Sequence, residues 1–325
     1  TTTTTTTTTD NNNNNYKPRG KFRIAFVGTS LTYFNNLPYI VGQVFLAAGY
    51  DFEEKNVLRA ADNLATVWDN ACNVAGVLTY VCPYLMYYGP ANMMDMLEDV
   101  DDDEGWDYVV LQDSTRVPDD PDQKQLVQNY LQTNYAPYLA GLGITPIFYQ
   151  VYPYHPNYDP QGGALQSEFE EQYHRIIDTY QSYHVTMNTA FSQLGSPQPQ
   201  PQDDSNGTTT TNVLKARIAP IADAFRETLY TDKALFDRLY YPDYVHPKPC
   251  GALLIAYLLF MTVTYGEDPL AEAYSLEWWD NNHRYMTNQL LNQPKDTDFP
   301  TMEEARMLRD IARIVYARAK EEGTL

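Results

Sequence analysis

Short apolar runs alternate along the chain with stretches in which apolar residues recur at helical spacing. Residues 22–27, 108–111 and 144–151 are runs rich in strand-forming side chains, which predicts buried strands. Helical spacing follows the first run over residues 36–49, with a proline just inside its start and a glycine at its end. Strands that alternate with helices pair in parallel, so the pattern predicts an α/β fold: a three-layer α/β/α sandwich with a mainly parallel central sheet. Further helices are expected over residues 123–140, 168–183, 216–229, 250–265 and 303–321.

The chain is predicted to divide into a tail, one domain and an extension. Residues 1–15 contain only Thr, Asp and Asn, so they cannot offset the entropy of ordering and are expected to be disordered. Residues 16–270 carry the strand and helix pattern of a single domain, in which the low-complexity stretch 196–212 reads as an exposed loop. Residues 271–325 are expected to form a C-terminal helical extension packed on that domain.

Charge and apolar patterning exclude several kinds of partner. The 325 residues include 42 acidic and 22 basic side chains, for a net charge of −20 at pH 7. A surface of this sign repels nucleic acid and anionic membranes, so neither is expected as a partner. No apolar run approaches the ~18 residues that a membrane-spanning helix needs. The oligomeric state is left open by the sequence.

The cysteines and the sequon bear on cofactors and location. Cys72, Cys82 and Cys250 show no zinc-ligand spacing, and we expect no metal and no cofactor. A Cys72–Cys82 disulfide and buried thiols are both open interpretations. The Thr/Asn tract and the glycosylation sequon at Asn206 favour an extracellular or secretory-pathway protein, with a soluble cytoplasmic one as the alternative. A plain disordered tail explains the tract equally well.

A serine and an Asp-x-x-His pair lie where chemistry is expected. Ser30 follows the first predicted strand, and ligands of open parallel sheets bind outside the carboxyl ends of strands. Asp243 lies three residues before His246 in a proline-bounded loop, so its carboxylate can orient the imidazole toward a serine. The alternatives are that Ser30 is an ordinary turn residue and that His246 is a hydrogen-bonded histidine of an ordinary surface loop. His155 is a competing base whose only carboxylate nearby in the sequence is Asp159.

The segments around these residues resemble a known family. FVGTSLTYFNNLP around Ser30 and DYVHPKPCGALLIAYLLF around His246 are similar to the first and last blocks of the SGNH (GDSL-type) hydrolase superfamily. The resemblance covers residues 22 to about 266, with specific ends and a weaker middle. It implies a flavodoxin-like hydrolase fold in which Ser30 is the nucleophile, and Asp243 and His246 complete a catalytic triad.

The same resemblance implies an oxyanion hole, although the middle blocks depart from the family pattern. Where the family has Gly-Asp, this chain has Ala61-Asp62, and where it has Asn, this chain has Gln112. The backbone N–H groups of Ser30 and Ala61 and the Gln112 amide are therefore the expected oxyanion donors. Ala60, Gly76 and Gly89 are alternatives to Ala61, and a strand-end hydrogen bond is the alternative role of Gln112.

Aromatic and amide side chains near the strand ends suggest the substrate. Tyr33, Phe34 and Asn35 follow the nucleophile, and Tyr152 and Tyr154 follow the third predicted strand. Tyr33, Asn35, Tyr152 and Tyr154 are the expected substrate-binding residues, because aromatic faces and amides suit sugar rings. Simple packing of these tyrosines into the loops is the alternative.

These features together predict a serine esterase that removes acetyl or other short acyl groups, with a small-molecule or carbohydrate ester as its substrate. A lipid or thioester hydrolase on the same triad is the first alternative. A non-catalytic carbohydrate-binding protein on the same scaffold is the second, and the presence of all three triad residues speaks against it.

Overall fold

The structure is a computed structural model that describes residues 19–59, 62–72, 92–98, 105–158, 166–194, 214–269 and 299–325. Its centre is a five-stranded, all-parallel sheet with the order β2-β1-β3-β4-β5. The α/β prediction, with a parallel central sheet between helices, is confirmed. The strands are β1 Lys21–Gly28, β2 Asp51–Leu58, β3 Tyr108–Gln112, β4 Thr145–Tyr149 and β5 Arg217–Ala219.

Helices cover both faces of this sheet. One group, α2, α10 and α11, packs together on one face, and a second group, α3, α5, α6 and α7, packs together on the other. Every residue of α10 is buried, which explains why its apolar pattern runs around the whole helix. The helices are α1 Ser30–Tyr33, α2 Leu37–Ala47, α3 Leu64–Cys72, α4 Met93–Glu98, α5 Pro121–Tyr130, α6 Ala136–Leu142, α7 Gln166–Gln193, α8 Ile221–Thr231, α9 Lys233–Asp237, α10 Pro249–Val263 and α11 Met302–Glu321. The shorter helical turns are Phe34–Asn36, Val117–Asp119 and Leu131–Tyr135.

Two strands were not predicted from the sequence. β2 lies at the sheet edge and pairs only with β1, so its mostly half-exposed residues carry no apolar run. β5, at the other edge, lies within the helix expected over residues 216–229, and that expectation is wrong for its first residues. Pro220 follows the strand, and a proline disfavours helical backbone in the residue before it. The helix begins only at Ile221.

The strand order places β1 at the centre of a topological reversal. The chain leaves β1 for β2 on one side and then crosses to β3 on the other. In open parallel sheets such a reversal leaves a crevice at the carboxyl ends of the two diverging strands. The segments that follow β1 and β3, which begin at Thr29 and Asp113, meet at this crevice.

The C-terminal helix α11 packs on the domain. It contacts α10 and α8, and its buried side is a stripe of Ala, Leu, Ile, Val and Tyr. Thr301 and Glu304 form a capping box at its start, and Arg238 from the end of α9 pairs with Glu304. The helix predicted over residues 303–321 is therefore confirmed, while the domain boundary at residue 271 stays a prediction.

Some expectations fall outside the described residues. These are the tail at 1–15, the loop at 196–212 and the stretch 271–298 of the C-terminal extension. Cys250 is a buried free thiol in α10, but Cys82 and the side chain of Cys72 are not described, so a Cys72–Cys82 disulfide and buried thiols at these two positions both stay open. Within the described ranges, none of the helices has the length and apolar character that crossing a membrane requires.

Candidate active site

Ser30 lies at the crevice, on the turn that connects β1 to α1. Thr29 has extended backbone, and its carbonyl accepts hydrogen bonds from the N–H groups of Thr32 and Tyr33, which starts the helical turn immediately after the strand. Ser30 is thereby held as the first residue of α1. Its Oγ lies 2.9 Å from Nε2 of His246, a residue that is 216 positions later in the chain.

Asp243 holds the other side of the imidazole. Its Oδ2 lies 2.7 Å from Nδ1 of His246, and its Oδ1 accepts the backbone N–H groups of Val245 and His246 at 3.0 Å each. Burial by itself raises the pKa of Asp243, but the hydrogen bonds from the His246 ring and from the two backbone groups outweigh it, so the pKa lies below its usual value. The carboxylate is therefore ionised at neutral pH and fixed against the ring.

This arrangement determines what the imidazole presents to the serine. A carboxylate against Nδ1 favours the tautomer that carries its proton there, which leaves the lone pair of Nε2 toward the Ser30 hydroxyl. The three residues predicted from the sequence, Ser30, Asp243 and His246, lie together in the structure, with the His246 ring between the serine and the carboxylate. Such a chain can move a proton from the serine to the histidine.

The segment after Ser30 reaches back to the histidine loop. The ring of Phe34 stacks on the His246 ring with 3.9 Å between the centroids and 12° between the planes. Asn35 donates from Nδ2 to the carbonyl of Pro247 at 2.6 Å and accepts the hydroxyl of Tyr241 at 3.0 Å. Asn35, expected to bind substrate, thus contacts the loop that carries His246. The stacking of Phe34 on His246 was not foreseen, because no local pattern pairs residues so distant in sequence.

Gln112 lies beneath the turn that carries Ser30. It is 1% exposed, and its Oε1 accepts the Thr29 N–H at 2.7 Å and the hydroxyls of Thr29 and Thr32 at 3.0 and 3.1 Å. Its Nε2 donates to the backbone carbonyl of Asp113. The amide oxygen is therefore committed to the turn that carries Ser30, and only the amino group is of the right polarity to face an anion. Ala61, the other predicted side of the oxyanion hole, lies outside the described residues.

Asp113 is a site residue that the sequence reasoning missed. Its carboxylate is buried and accepts the N–H groups of Leu64 and Ser114 and the hydroxyl of Tyr183. Burial raises the pKa of Asp113 to about 6, although the hydrogen bonds from Tyr183, Ser114 and Leu64 act in the opposite direction. Its position directly after a buried strand, at the carboxyl edge of a parallel sheet, is the signal that could have identified it.

The tyrosines expected to bind substrate lie in different environments. Tyr33 is half-buried and stacks against Phe34. Tyr154 is also half-buried. Its hydroxyl lies 2.8 Å from the hydroxyl of Thr115, and 4.4 Å separates the centroid of its ring from the centroid of the Tyr158 ring.

Tyr152 requires a correction. It is 1% exposed, and its ring stacks on Phe225 with 3.9 Å between the centroids and meets Tyr240 edge-on. A ring packed in this way offers no surface to a substrate, so Tyr152 is a core residue. Packing against Phe225 of α8 and against Tyr240 buries Tyr152, while Tyr154, two residues later, stays half-exposed.

His155 has a carboxylate partner other than the one considered in the sequence. Its Nδ1 accepts the N–H of Asn157, so Nε2 carries the proton and donates it to Asp237 at 2.9 Å. Burial lowers the pKa of His155, although Asp237 raises it. The ring also stacks on Tyr244, and the backbone N–H of His155 donates to the Tyr244 carbonyl. His155 therefore supports the loop between Asp243 and His246, in which Tyr244 has a left-handed φ of 61°.

Comparisons with known proteins give a likeness of fold. The sequence matches no family model and no curated protein. Among solved structures, a DUF4886 family protein from Bacteroides uniformis is 14% identical, with a TM-score of 0.55 over 94% of this chain and 96% of that chain. At such an identity the likeness supports the α/β/α fold and nothing finer.

Two other solved structures are more distant. One is a gut microbial diltiazem-metabolizing enzyme, 12% identical with a TM-score of 0.42 over 76% of this chain and 47% of that chain. The other is a protein from Parabacteroides merdae described as a GDSL-like lipase, 10% identical with a TM-score of 0.43 over 77% of this chain and 98% of that chain.

Proposed function

We propose that this protein is a serine esterase that hydrolyses acetyl or other short acyl esters through Ser30, His246 and Asp243. The observation that carries the proposal is the unbroken set of hydrogen bonds from Ser30 Oγ through the His246 ring to Asp243, at the carboxyl ends of β1 and β3. The resemblance of the flanking segments to SGNH hydrolases points to the same chemistry.

The proposed reaction has two halves. Ser30 Oγ attacks the ester carbonyl while Nε2 of His246 takes the hydroxyl proton, and Asp243 stabilises the imidazolium that forms. The bond from the acyl carbon to the alcohol oxygen then breaks, and the alcohol leaves with the proton from His246. In the second half, His246 takes a proton from water as the water oxygen attacks the acyl carbon. The bond from that carbon to Ser30 Oγ then breaks, His246 returns the proton to Oγ, and the acid is released.

The negative charge on the carbonyl oxygen needs donors near Ser30. We assign this role to the N–H groups of Ser30 and Ala61 and to the amino group of Gln112, whose oxygen is already bound to Thr29 and Thr32. The loss of one such donor costs about 3 kcal/mol of transition-state stabilisation, or roughly 100-fold in kcat. We therefore expect Gln112→Ala to lower kcat by this factor, with a further loss where the Ser30 turn relaxes.

The proposed substrate is an acylated carbohydrate. The half-buried rings of Tyr154 and Tyr158 contact each other beyond the end of β4, and Thr115 lies beyond the end of the neighbouring β3. Aromatic faces beside hydroxyl groups suit a sugar ring, which has apolar C–H faces and a polar rim. The strands that precede these groups, β3 and β4, lie one and two strands from β1, or roughly 5 and 10 Å across the sheet.

Chromogenic acetate and long-chain esters test the reaction class. Ser30→Ala should lower acetate turnover by about 10⁴-fold or more, because the nucleophile is lost while the fold remains. Ser192→Ala is the matched control, since Ser192 is exposed near the end of α7, and it should leave turnover unchanged. A fluorophosphonate should add to the wild-type chain at Ser30, as read by mass spectrometry. Turnover that survives Ser30→Ala at more than a tenth of the wild-type rate would overturn the proposal.

The same assay, extended to acetylated oligosaccharides, separates the alternatives. Release of acetate from these substrates supports the carbohydrate assignment. Turnover of long-chain esters or thioesters alone would replace it with a lipid or thioester hydrolase. Sugar binding without turnover and without fluorophosphonate labelling would show a non-catalytic binding protein.

A further inference from the structure

The His246 imidazole is contacted on its edge and on its face by different groups. Ser30 and Asp243 hold the two nitrogen atoms on the edge, at 2.9 and 2.7 Å. Phe34 covers the face, nearly parallel to it, with 3.9 Å between the ring centroids. The edge contacts account for proton transfer, but they give no reason for an aromatic ring on the face.

We infer that Phe34 is a positioning residue that fixes the plane of the His246 ring and stabilises its positively charged form during acyl transfer. The inference rests on the proposed esterase reaction, in which His246 carries a proton in both transition states. The face of an aromatic ring carries a partial negative charge, so it attracts a cation stacked on it more strongly than it attracts a neutral ring. An aliphatic side chain of similar size fills the same space without this attraction.

The backbone after Phe34 holds the ring in place. Asn35 and Asn36 have φ values of 57° and 51°, in the left-handed region that non-glycine residues adopt at a cost. Such a conformation persists only where the surroundings enforce it. Here Asn35 makes its side-chain hydrogen bonds to Pro247 and Tyr241, which lie in the same loop as His246. The segment that carries Phe34 is thereby attached directly to the loop that carries the imidazole.

Neighbouring rings restrict Phe34 further. Tyr33 stacks on it with 5.4 Å between the centroids, and Tyr241 meets it edge-on at 5.8 Å. With His246 on its face, Phe34 contacts three other rings within one small cluster. A ring fixed by this many neighbours keeps its orientation while the charge on His246 changes, which is what positioning requires.

Substitutions of Phe34 separate packing from charge stabilisation. Phe34→Leu keeps most of the apolar volume and removes the aromatic face, so kcat for an acetate ester should fall by roughly 3- to 30-fold with KM within about twofold. Phe34→Tyr keeps the face and should restore kcat to within about twofold of wild type. Phe52→Leu is the matched control, since Phe52 stacks on Phe45 from the edge strand β2 and is absent from the site; its kcat should not change.

The pH profile provides a readout that a packing role alone would not move. If Phe34 favours the charged ring, the acid-side midpoint of the kcat/KM profile should move down by roughly 0.3–1 pH unit in Phe34→Leu and stay in place in Phe34→Tyr. Equal midpoints and equal kcat values in wild type and Phe34→Leu, with Ser30 still required, would overturn the role of Phe34 and leave the esterase proposal standing. Phe34→Met replaces Phe34→Leu if the latter does not fold by circular dichroism.

Nuclear magnetic resonance of the histidine rings tests the stacking without a substrate. The carbon-bound ring protons of His246, assigned by their loss in His246→Gln, should lie upfield in wild type and move downfield in Phe34→Leu. Their titration midpoint should fall in parallel with the kinetic one. If the wild-type protein shows no turnover and no labelling of Ser30, the esterase proposal fails. The titration then decides the inference alone: a lower midpoint in Phe34→Leu supports charge stabilisation, and an unchanged midpoint overturns it.

Discussion

The Asp113 carboxylate accepts the backbone N–H of Leu64 at 3.1 Å, which ties the end of β3 to the start of α3. Leu64 is held from its other side as well, because its carbonyl accepts the hydroxyl of the buried Tyr135 at 2.7 Å. The segment just before Leu64 contains Ala61, which we assign to the oxyanion hole. Asp113 therefore anchors the first residue of α3, which lies three positions after Ala61 in the sequence.

The ionisation of Asp113 should make stability depend on pH. Its pKa is raised from 3.8 to about 6 in the folded protein, so the folded state binds this proton more tightly than the unfolded state. The stabilisation from the bound proton is complete below pH ~4 and is lost as the pH rises through ~6, in total about 3 kcal/mol. Asp113→Asn cannot titrate. The free energy of unfolding of the wild type relative to this variant should therefore fall between pH 5 and pH 8.

Urea unfolding of both proteins at four pH values measures this difference. Because every other titrating group is common to the two chains, its effect cancels in the comparison. Asp122→Asn is the control, since it removes a carboxylate of the same kind from an exposed position on α5. A stability difference between the wild type and the Asp113→Asn variant that stays constant from pH 5 to pH 8 would show that the buried carboxylate does not titrate in this range.

Gly28→Ala should damage the turn that carries Ser30. An added Cβ would lie 2.7 Å from Oγ1 of Thr32 and 2.9 Å from Oε1 of Gln112, so the network beneath Ser30 would have to shift. We expect a loss of about 1–3 kcal/mol in the free energy of unfolding and at least a tenfold loss of ester turnover. Gly141→Ala makes the same change in α6 with no atom within 4 Å, and it should be neutral or stabilise by up to about 1 kcal/mol. Equal behaviour of the two variants in thermal unfolding and turnover would contradict this account.

Asn35 allows backbone strain to be separated from its hydrogen bonds. Both Asn35→Ala and Asn35→Gly lose the bonds to Pro247 and Tyr241, but only glycine accepts a φ of 57° without a steric cost. Both variants should lose ester turnover, and the alanine variant should be less stable than the glycine variant by about 1 kcal/mol. Chemical denaturation and acetate turnover provide the measurements. An alanine variant as stable as the glycine variant would mean that the turn relaxes to another conformation.

The capping box of α11 should contribute to stability without affecting chemistry. Thr301 Oγ1 accepts the N–H of Glu304, and the Glu304 side chain accepts the N–H of Thr301. Thr301→Ala should lower the free energy of unfolding by about 1 kcal/mol. Thr301→Ser keeps the capping hydroxyl, so it should retain most of the stability that the cap contributes. Both variants should keep the wild-type kcat because α11 lies outside the proposed site. A kcat that falls in either variant would show that the extension communicates with the site.

Much of the fold follows from local patterning. The buried strands β1, β3 and β4 and the helix α10 are continuous apolar segments, so their positions were evident within a few residues. The edge strands were not evident. β2 consists mainly of polar residues, because it pairs on one side only, and β5 has three residues, too few for any periodicity.

The residues of the candidate site also fall into two groups, those that a local sequence pattern indicates and those that it does not. Ser30, Asp243 and His246 carry local signals: a strand-end serine and a carboxylate three residues before a histidine. Phe34 and Asp113 act through contacts with elements far away in the chain, and such contacts leave no mark on the local sequence. Tyr152 is the opposite case. Its residue type and its position after a strand favour a substrate-binding role, but its ring is buried against Phe225.

The separation of 216 residues between Ser30 and His246 has a consequence for biogenesis. Ser30 leaves the ribosome early and stays without His246 until the loop before α10 has been made and has docked on the sheet. A parallel sheet built from such distant segments forms slowly, because long loops must close before their contacts form. Ester turnover should therefore be the last property to return during refolding, later than helix content, and its recovery can serve as a direct count of completely assembled molecules.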